Sequence, residues 1–478
     1  MLNNHIYNYT DAQYNDKIFL FDKDNLDSKY NFLDIYKNNG YKIINYISDL
    51  EFRSKYNDII YDSKERDLIY LNNQIYVPYD LRKIFHFVEL SIEKLFPNLN
   101  SKTIKECSCL NYDLLVQAYS DNYDSYNTPE KTKTFIKEKV YCKDNIQSYV
   151  DKNIVLLKDL VSNANNYKDW LAIANLKTDL DLMIIEYDLN CDMDFINEPF
   201  KEFIMNKYGS LSSESTNNPI IINKILDYIV NKSDKFAIIV MDGMSELDWK
   251  ILSRSFDNIN YQKSSYFAMI PTTTSISRQC LLSGNFPIQL ESPWNTIKEE
   301  KEFINALCNF NYAKDKIQYY RGYETDIVRS NTKCAAFIIN EIDDIMHGQK
   351  QGKKGMYNDI IQMSKDSKLK KMVIELLKKG FDIYICTDHG STQCKGIGKI
   401  QNSVEIETKS HRMLVVKNYG KNYDNLINYS SKYYLNKEYQ YFICNAGESL
   451  DNKGEVVINH GGITIEEIIV PFIQIKKR

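Results

Sequence analysis

The sequence predicts an α/β protein whose C-terminal part is a mostly parallel sheet with helices on both faces. From residue 216 onward, short apolar runs alternate with amphipathic helical stripes, which is the order of strands and crossover helices. The apolar runs are continuous, as in strands buried on both faces. A run of small and polar residues that ends in Pro, at 209–219, separates this pattern from the preceding chain. We therefore predict a small α/β domain at 1–98, a mainly helical region with a linker at 99–215, and an α/β domain at 216–478.

The N-terminal part has the order of a βαβ unit. Residues 17–21 form an apolar run, 30–37 can form a helix that Gly40 ends, and 41–46 resume an extended pattern. Asp22 and Asp24 follow the first predicted strand. They are candidates for a metal ligand role or, more commonly at such positions, for turn and cap positions.

The middle region carries apolar residues at helical spacing, at 155–160 and again at 170–176. We find no motif there that indicates a chemical function.

The C-terminal part contains clear helix and strand signals. Residues 222–229 and 369–377 are amphipathic stripes, and Gly380 is placed to end the second one. The predicted strands are 236–241, 335–340, 381–386, 413–417 and 455–459.

Composition excludes several classes of protein. The chain has 478 residues, of which 43% are hydrophobic and 26% are charged, as in globular proteins. A net charge of −4 argues against a broad basic surface that binds duplex DNA. A small basic groove is still compatible with this net charge. The ten cysteines have no zinc-finger spacing. Without a signal peptide or an apolar run of about 20 residues, we expect a cytoplasmic protein outside the membrane.

Polar side chains follow the predicted strands at their carboxyl ends, where open α/β sheets gather functional groups. A single Asp or His at such a place is more commonly structural, but the ordered set is more specific. Carboxylates and imidazoles are ligands that suit zinc. The residues in question are Asp242, Thr274, Asp343, His347, Asp388, His389 and His460.

These residues lie in motifs that resemble the alkaline phosphatase superfamily. Within it, the chain is most similar to PglZ-domain proteins, a family that includes a component of bacteriophage-exclusion (BREX) defence systems. The tail at 459–472 and, more weakly, the stretch KIFLFDKDNL carry that closer resemblance. The superfamily motifs are DG at 242–243, PTTT at 271–274, LLSGNFP at 281–287, DxxxH at 343–347, TDHG at 387–390 and the late His460.

The resemblance implies an alkaline-phosphatase-like domain with two divalent metal ions, most commonly zinc and sometimes manganese. It implies that Thr274, the last Thr of its motif, is the nucleophile, ahead of Thr272 and Thr273. Asp344 beside Asp343 leaves a shifted ligand register open. One ion would be held by Asp343, His347 and His460, and the other by Asp242, Asp388, His389 and the Thr274 oxygen.

The chemistry of the segment that begins at Thr274 agrees with a nucleophilic role of this residue. A threonine hydroxyl needs a metal or a base to ionise, and a helix starting near Ser275 would direct N–H groups at a phosphate. Arg278, one helical turn after Thr274, is expected to steady a phosphoryl oxygen, with a surface salt bridge as the alternative. His411 and Arg412 are candidates for substrate contact or for ordinary structural roles.

The predicted function is a metal-dependent phosphodiesterase or phosphohydrolase, nuclease-like, in bacterial phage defence. Its substrate would be a phosphoester such as an oligonucleotide or a cyclic nucleotide. Other defence-system proteins are candidate partners, and the oligomeric state is open. The alternatives are a metal-stabilised scaffold without turnover and a phosphomutase or phosphotransferase. A sulfatase is disfavoured because Thr274 and Ile276 occupy the positions where sulfatases carry Cys or Ser and Pro.

Overall fold

The computed structural model of the chain describes residues 1–61, 65–73, 76–107, 110–120, 124–214, 217–400, 410–417, 423–432 and 434–476. It contains two compact units, Met1–Lys152 and Asn153–Arg478. In the predicted linker, Tyr208–Ser213 form a 3-10 helix, and residues 215–216 lie outside the described part. The three-part division of the chain stays a prediction.

The first unit is a four-stranded parallel sheet with helices, and the strand order is β2-β3-β1-β4. Its elements are α1 (Leu2–Tyr9), β1 (Lys17–Asp22), α2 (Asp27–Tyr30), α3 (Leu33–Asn38), β2 (Tyr41–Asn45), α4 (Asp49–Tyr61), β3 (Arg66–Leu71), α5 (Tyr79–Ile84), β4 (His86–Leu90), α6 (Ile92–Leu95), α7 (Ser101–Glu106), α8 (Tyr112–Ser120), α9 (Pro129–Phe135) and α10 (Lys143–Ser162), which continues into the second unit.

Asp22, the last residue of β1, and Asp24 both serve as hydrogen-bond acceptors in turns. The buried Asp22 carboxylate accepts from the amides of Leu26 (2.9 Å) and Asp27 (3.0 Å). Asp24 accepts from the amide of Ile92 at 2.7 Å. This is the turn and cap role that such residues commonly have.

The second unit holds the remaining elements, and none of the described helices is both long and apolar enough to cross a membrane. The elements are α11 (Tyr167–Tyr187), α12 (Asn197–Lys207), α13 (Ile225–Lys232), β5 (Phe236–Met241), α14 (Glu246–Leu252), β6 (Gln262–Phe267), α15 (Thr274–Ser283), α16 (Glu299–Asn309), β7 (Ile317–Arg321), β8 (Cys334–Ile339), α17 (Glu341–Gly348), α18 (Gly352–Asp366), α19 (Lys368–Lys378), β9 (Asp382–Cys386), β10 (Thr392–Gly396), β11 (Met413–Lys417), β12 (Ile427–Asn428), β13 (Tyr439–Ile443), β14 (Glu448–Ser449), β15 (Val456–Asn459), α20 (Ile465–Ile468) and β16 (Ile469–Ile475).

The main sheet of this unit has the strand order β6-β16-β9-β5-β8-β7. Strands β9, β5, β8 and β7 are parallel, and β16 is antiparallel to both of its neighbours. Every residue of β5 and β8 is buried, as expected for strands covered on both faces. The predicted α/β class with a mostly parallel sheet is confirmed.

Two predicted strands have different partners from those expected. β11 and β15 form, but β11 pairs with β13, and β15 pairs with β10, in two separate three-stranded sheets. His460 directly follows β15, which lies in a small sheet with β10 and β14 and not in the main sheet. An apolar run predicts that a strand forms but carries no information on its partner.

Candidate metal and catalytic site

Two carboxylates meet because β5 and β9 are parallel neighbours in the main sheet. Asp242 directly follows β5, and Asp388 lies two residues beyond β9. Gly243, the residue after Asp242, has a φ of +74°, a left-handed backbone conformation that residues with a side chain rarely adopt. Its amide donates to Asp388 Oδ1 at 3.2 Å. The Asp-Gly turn thus joins the two strand ends and places both acidic side chains at one edge.

Asp242, Asp388 and His389 could together hold a metal ion, because one potential ligand atom of each lies within 4.8 Å of the others; we call them the first ligand group. His389 Nδ1 donates to the Gly390 carbonyl at 3.0 Å, because a carbonyl can only accept. Nε2 is then the lone-pair nitrogen, 3.7 Å from Asp242 Oδ1 and 3.8 Å from Asp388 Oδ2. A backbone carbonyl that fixes one ring nitrogen is the usual companion of a metal-binding histidine.

The segment that carries Asp388 and His389 lies directly on the backbone near α20. The Gly390 amide donates to the Glu467 carbonyl at 3.0 Å. A Cβ atom at position 390 would lie 2.0 Å from the carbonyl oxygen of Glu466. Only glycine fits this approach.

Thr274 places its hydroxyl in the first ligand group. It is the first residue of α15, shortly after the cis Ile270–Pro271 bond. Its Oγ1 lies 3.1 Å from His389 Nε2 and 3.3 Å from Asp242 Oδ1. The side chain therefore combines three properties: a half-buried hydroxyl, a helix N-terminus and direct contact with two ligand residues.

Asp343, His347 and His460 form the second ligand group, again within 4.8 Å of one another. Asp343 Oδ1 lies 3.4 Å from His347 Nε2, one turn along α17, and 3.8 Å from His460 Nε2. His460 Nδ1 donates to the Thr272 carbonyl at 2.9 Å. The tautomer of His460 is therefore fixed in the same way as that of His389.

The two groups adjoin through their histidines. The rings of His389 and His460 stack with centroids 4.0 Å apart and planes at 12°. Burial, followed by the neighbouring charge of His389, lowers the pKa of His460 to about 4. Both rings are buried, and the pKa of His389 is also lowered, mainly by burial. Neutral imidazoles are the form that binds metals.

Two carboxylates of the site, Asp388 and Asp343, are only partly satisfied by hydrogen bonds. Burial, followed by the charge of Asp242, raises the pKa of Asp388 well above its usual range. Within the described residues, Asp388 Oδ2 and Asp343 Oδ1 are buried atoms without a hydrogen-bond partner. Burial also opposes ionisation of Asp343, but the imidazole of His347, 3.4 Å away, and the other nearby histidines lower the pKa of Asp343 to about 2. Oxygen and nitrogen ligands arranged in this way fit divalent cations.

Arg278 lies one turn into α15, but it is almost wholly enclosed by carboxylates. Its Nη1 donates to Asp242 Oδ2 at 2.6 Å. Its Nε and Nη2 donate to the two Glu299 oxygens at 3.0 and 2.9 Å. The side chain is 3% exposed. The expected contact with a phosphoryl oxygen stays a prediction, and the surface salt bridge is wrong because this ion pair is buried.

The two candidates for substrate contact differ in their surroundings. Arg412 is buried and donates to Glu467 Oε1 at 2.8 Å, which gives it a structural partner. His411 is 40% exposed, and its Nδ1 lies 2.5 Å from Asp451 Oδ1. His411 also acts electrostatically on His347, so it belongs to the surroundings of the second ligand group. Contact of either residue with substrate stays a prediction.

Sequence reasoning missed the acidic partners Glu299, Asp451 and Glu467. Glu299 lies in a charge-rich helix start, where nothing local distinguishes it from Glu300 or Glu302. The one signal was Arg278 itself, because an arginine between apolar helix positions requires a buried carboxylate partner.

The register of the second ligand group can be tested with neighbouring carboxylates. If each ligand group holds one ion, Asp343→Asn is expected to lower the bound metal from about two ions per chain to about one, because it removes one of the three side chains of the second group. Asp344→Asn is the matched control, since Asp344 is exposed on the same helix. Metal content after gel filtration, measured by mass spectrometry, decides between them. Loss of metal in Asp344→Asn alone would assign the ligand role to that residue instead.

Comparison with known proteins gives one family and several solved structures. The model of the BREX system PglZ alkaline phosphatase-like domain matches residues 221–475, which is more than half of the chain. No curated protein sequence matches.

Three solved structures are similar to 51% of this chain, all of ectonucleotide pyrophosphatase/phosphodiesterase 5. The murine protein, as an inactive variant in complex with AMP, has a TM-score of 0.39, 13% identity and 88% of its own chain covered. A second murine structure has a TM-score of 0.38 and 15% identity, with 88% of its chain covered. The human protein has a TM-score of 0.38 and 14% identity, with 87% of its chain covered.

Proposed function

Because the chain belongs to the family of BREX system PglZ alkaline phosphatase-like domains, we propose that it is a phosphodiesterase with two divalent metal ions and Thr274 as nucleophile. The observation that carries the proposal is the Thr274 hydroxyl, 3.1 Å from His389 Nε2 and 3.3 Å from Asp242 Oδ1. A hydroxyl held inside a group of metal ligands is the arrangement that activates a weak nucleophile.

Thr274 Oγ1 attacks the phosphorus of a diester, and the bond from phosphorus to the leaving oxygen breaks. The hydroxyl proton ends on the leaving alcohol. Water then attacks the phosphorus of the resulting threonine-linked phosphodiester, which releases a phosphomonoester and restores the Thr274 hydroxyl. Divalent ions supply charge stabilisation for the phosphoryl oxygens and favour the ionised hydroxyl. The N-terminus of α15 directs backbone N–H groups toward the same oxygens.

We assign the metal ligands as two sets. Asp242, Asp388, His389 and Thr274 hold one ion, and the second ligand group holds the other. Zinc is the metal that carboxylate and imidazole ligands favour here, with manganese as the alternative.

The proposed substrate is a nucleotide or oligonucleotide phosphodiester, and the proposed setting is bacterial phage defence in the cytoplasm. The BREX description of the matching family supports this setting. Other proteins of the same defence system are the proposed partners.

The proposal is tested by hydrolysis of bis-p-nitrophenyl phosphate and p-nitrophenyl phosphate with added Zn²⁺ or Mn²⁺. We expect metal-dependent cleavage of the diester, abolished by a chelator and restored by metal, because divalent ions would stabilise the charge that develops on the phosphoryl oxygens. Failure of the metal-loaded protein to cleave either ester would overturn the proposal. Phosphoryl transfer that requires an added acceptor alcohol would identify a phosphotransferase instead.

A further inference from the structure

We propose that Arg278 and Glu299 form a positioning pair that fixes Asp242 as a metal ligand, in place of a direct contact between Arg278 and the phosphoryl group. The inference deepens the proposed function and rests on its first ligand group. It assigns a role to Glu299, a residue outside every motif of the site.

Arg278 and Glu299 belong to a buried hydrogen-bond network that connects α15, α16 and the end of β5. Arg278 on α15 donates to both Glu299 oxygens through Nε and Nη2, the planar two-point geometry that arginine forms with carboxylates. Glu299 begins α16, is fully buried and also accepts from the Tyr319 hydroxyl at 2.8 Å. The remaining guanidinium nitrogen, Nη1, donates to Asp242 Oδ2 at 2.6 Å. Arg278 is thereby locked in orientation.

This network divides the two oxygens of Asp242 between two tasks. Oδ2 accepts from Arg278, while Oδ1 lies 3.3 Å from Thr274 Oγ1 and 3.7 Å from His389 Nε2. One oxygen is therefore presented to the ligand group and the other is anchored. Partners that orient metal ligands in this way typically change metal affinity 10–100-fold when they are removed.

Glu299 is needed because Arg278 alone would compete with the metal. A guanidinium next to Asp242 offsets its negative charge, and a cation would then bind more weakly at the same carboxylate. Glu299 balances the charge of Arg278, so that the pair is neutral as a whole. Asp242 is then oriented by Arg278 and still keeps a negative charge for the metal.

The same geometry argues against contact with substrate. The guanidinium is 3% exposed and lies between two carboxylates. A phosphoryl group that approached it would be repelled by both.

Metal affinity distinguishes a positioning role of Arg278 from direct binding of phosphate. It is measured on the full chain by chelator competition with Zn²⁺ and Mn²⁺. We expect Glu299→Gln to weaken metal binding by about tenfold or more. Affinity for inorganic phosphate, measured on the metal-saturated protein, should stay unchanged. If Arg278 instead binds phosphate, Glu299→Gln would free it: phosphate would bind more tightly and metal affinity would stay unchanged. That result overturns the inference.

Two further variants control for folding and for surface charge. Arg278→Met combined with Glu299→Leu removes both buried charges together, which is tolerated better than leaving one unpaired. It should fold and also bind metal more weakly, because Asp242 Oδ2 loses its anchor, whereas wild-type affinity in this variant would overturn the inference. Arg321→Gln removes a half-exposed cation 3.8 Å from Glu299 and should leave metal affinity unchanged. A wild-type protein that binds no metal would refute the proposed function itself, which distinguishes the two failures.

Discussion

Replacing Thr274 with alanine or valine is expected to lower phosphodiester hydrolysis by about 10³-fold or more while both ligand groups keep their metals. The hydroxyl is the atom proposed to attack phosphorus, and removal of a nucleophile abolishes the covalent route. The other residues of the two ligand groups are unaffected, so binding of metal and phosphate should persist. Turnover of bis-p-nitrophenyl phosphate and metal content, measured on the same preparation, provide the test.

Thr274→Ser is the matched control, because it restores a hydroxyl at the same backbone position. We expect it to recover most of the activity that the alanine variant loses. Acid quenching of the wild-type reaction should trap a phosphoryl group on the peptide that contains Thr274, visible by mass spectrometry. Full turnover by a metal-loaded Thr274→Ala protein would show that the mechanism is wrong.

Asp388→Asn is expected to have two opposite effects, a loss of metal binding and a gain in stability of the metal-free protein. Asp388 is fully buried, and burial and Asp242 both raise its pKa. Its charge therefore destabilises the folded state when no cation is present. Asparagine keeps the oxygen that accepts from Gly243 and can donate to Asp242. We expect a higher melting temperature in chelator, by about 2–4 °C for each kcal/mol gained.

The comparison is a thermal melt of wild type and Asp388→Asn, each with chelator and with excess metal. Metal should raise the melting temperature of the wild type by more than that of the variant, which keeps only the second ligand group, since ligands that bind only the folded state stabilise it. Asp257→Asn, at an exposed carboxylate paired with Lys370, is the control and should leave the melting temperature nearly unchanged in both conditions. A metal-free Asp388→Asn protein that melts below wild type would contradict the expectation.

The main sheet could be predicted from sequence because its signals are local. Continuous apolar runs become buried parallel strands, and the residues that follow them, Asp242 and Asp388, arrive at one sheet edge by topology alone. The spacing of Asp343 and His347 places both on one face of a helix. These placements require only periodicity and strand order.

Pairings between distant segments could not be predicted in this way. The approach of His460 depends on the pairing of β15 with β10, and the environment of Arg278 depends on Glu299, 21 residues away. Both are tertiary contacts that leave no local pattern. The boundary between the two compact units also lies inside the continuous helix α10, where no composition break marks it.

The close approach of Gly390 to the backbone of Glu466 has a consequence for how the site is assembled. The segment 388–390 packs directly against the backbone of Glu466 and therefore has few alternative conformations. Folding of the chain thus orders the side chains of Asp388 and His389. An ion at the proposed site would then lose little affinity to ordering of these two residues, as in any preorganised receptor. It would also meet ligands whose spacing is fixed in advance, so that the radius of the ion would become a criterion for selection.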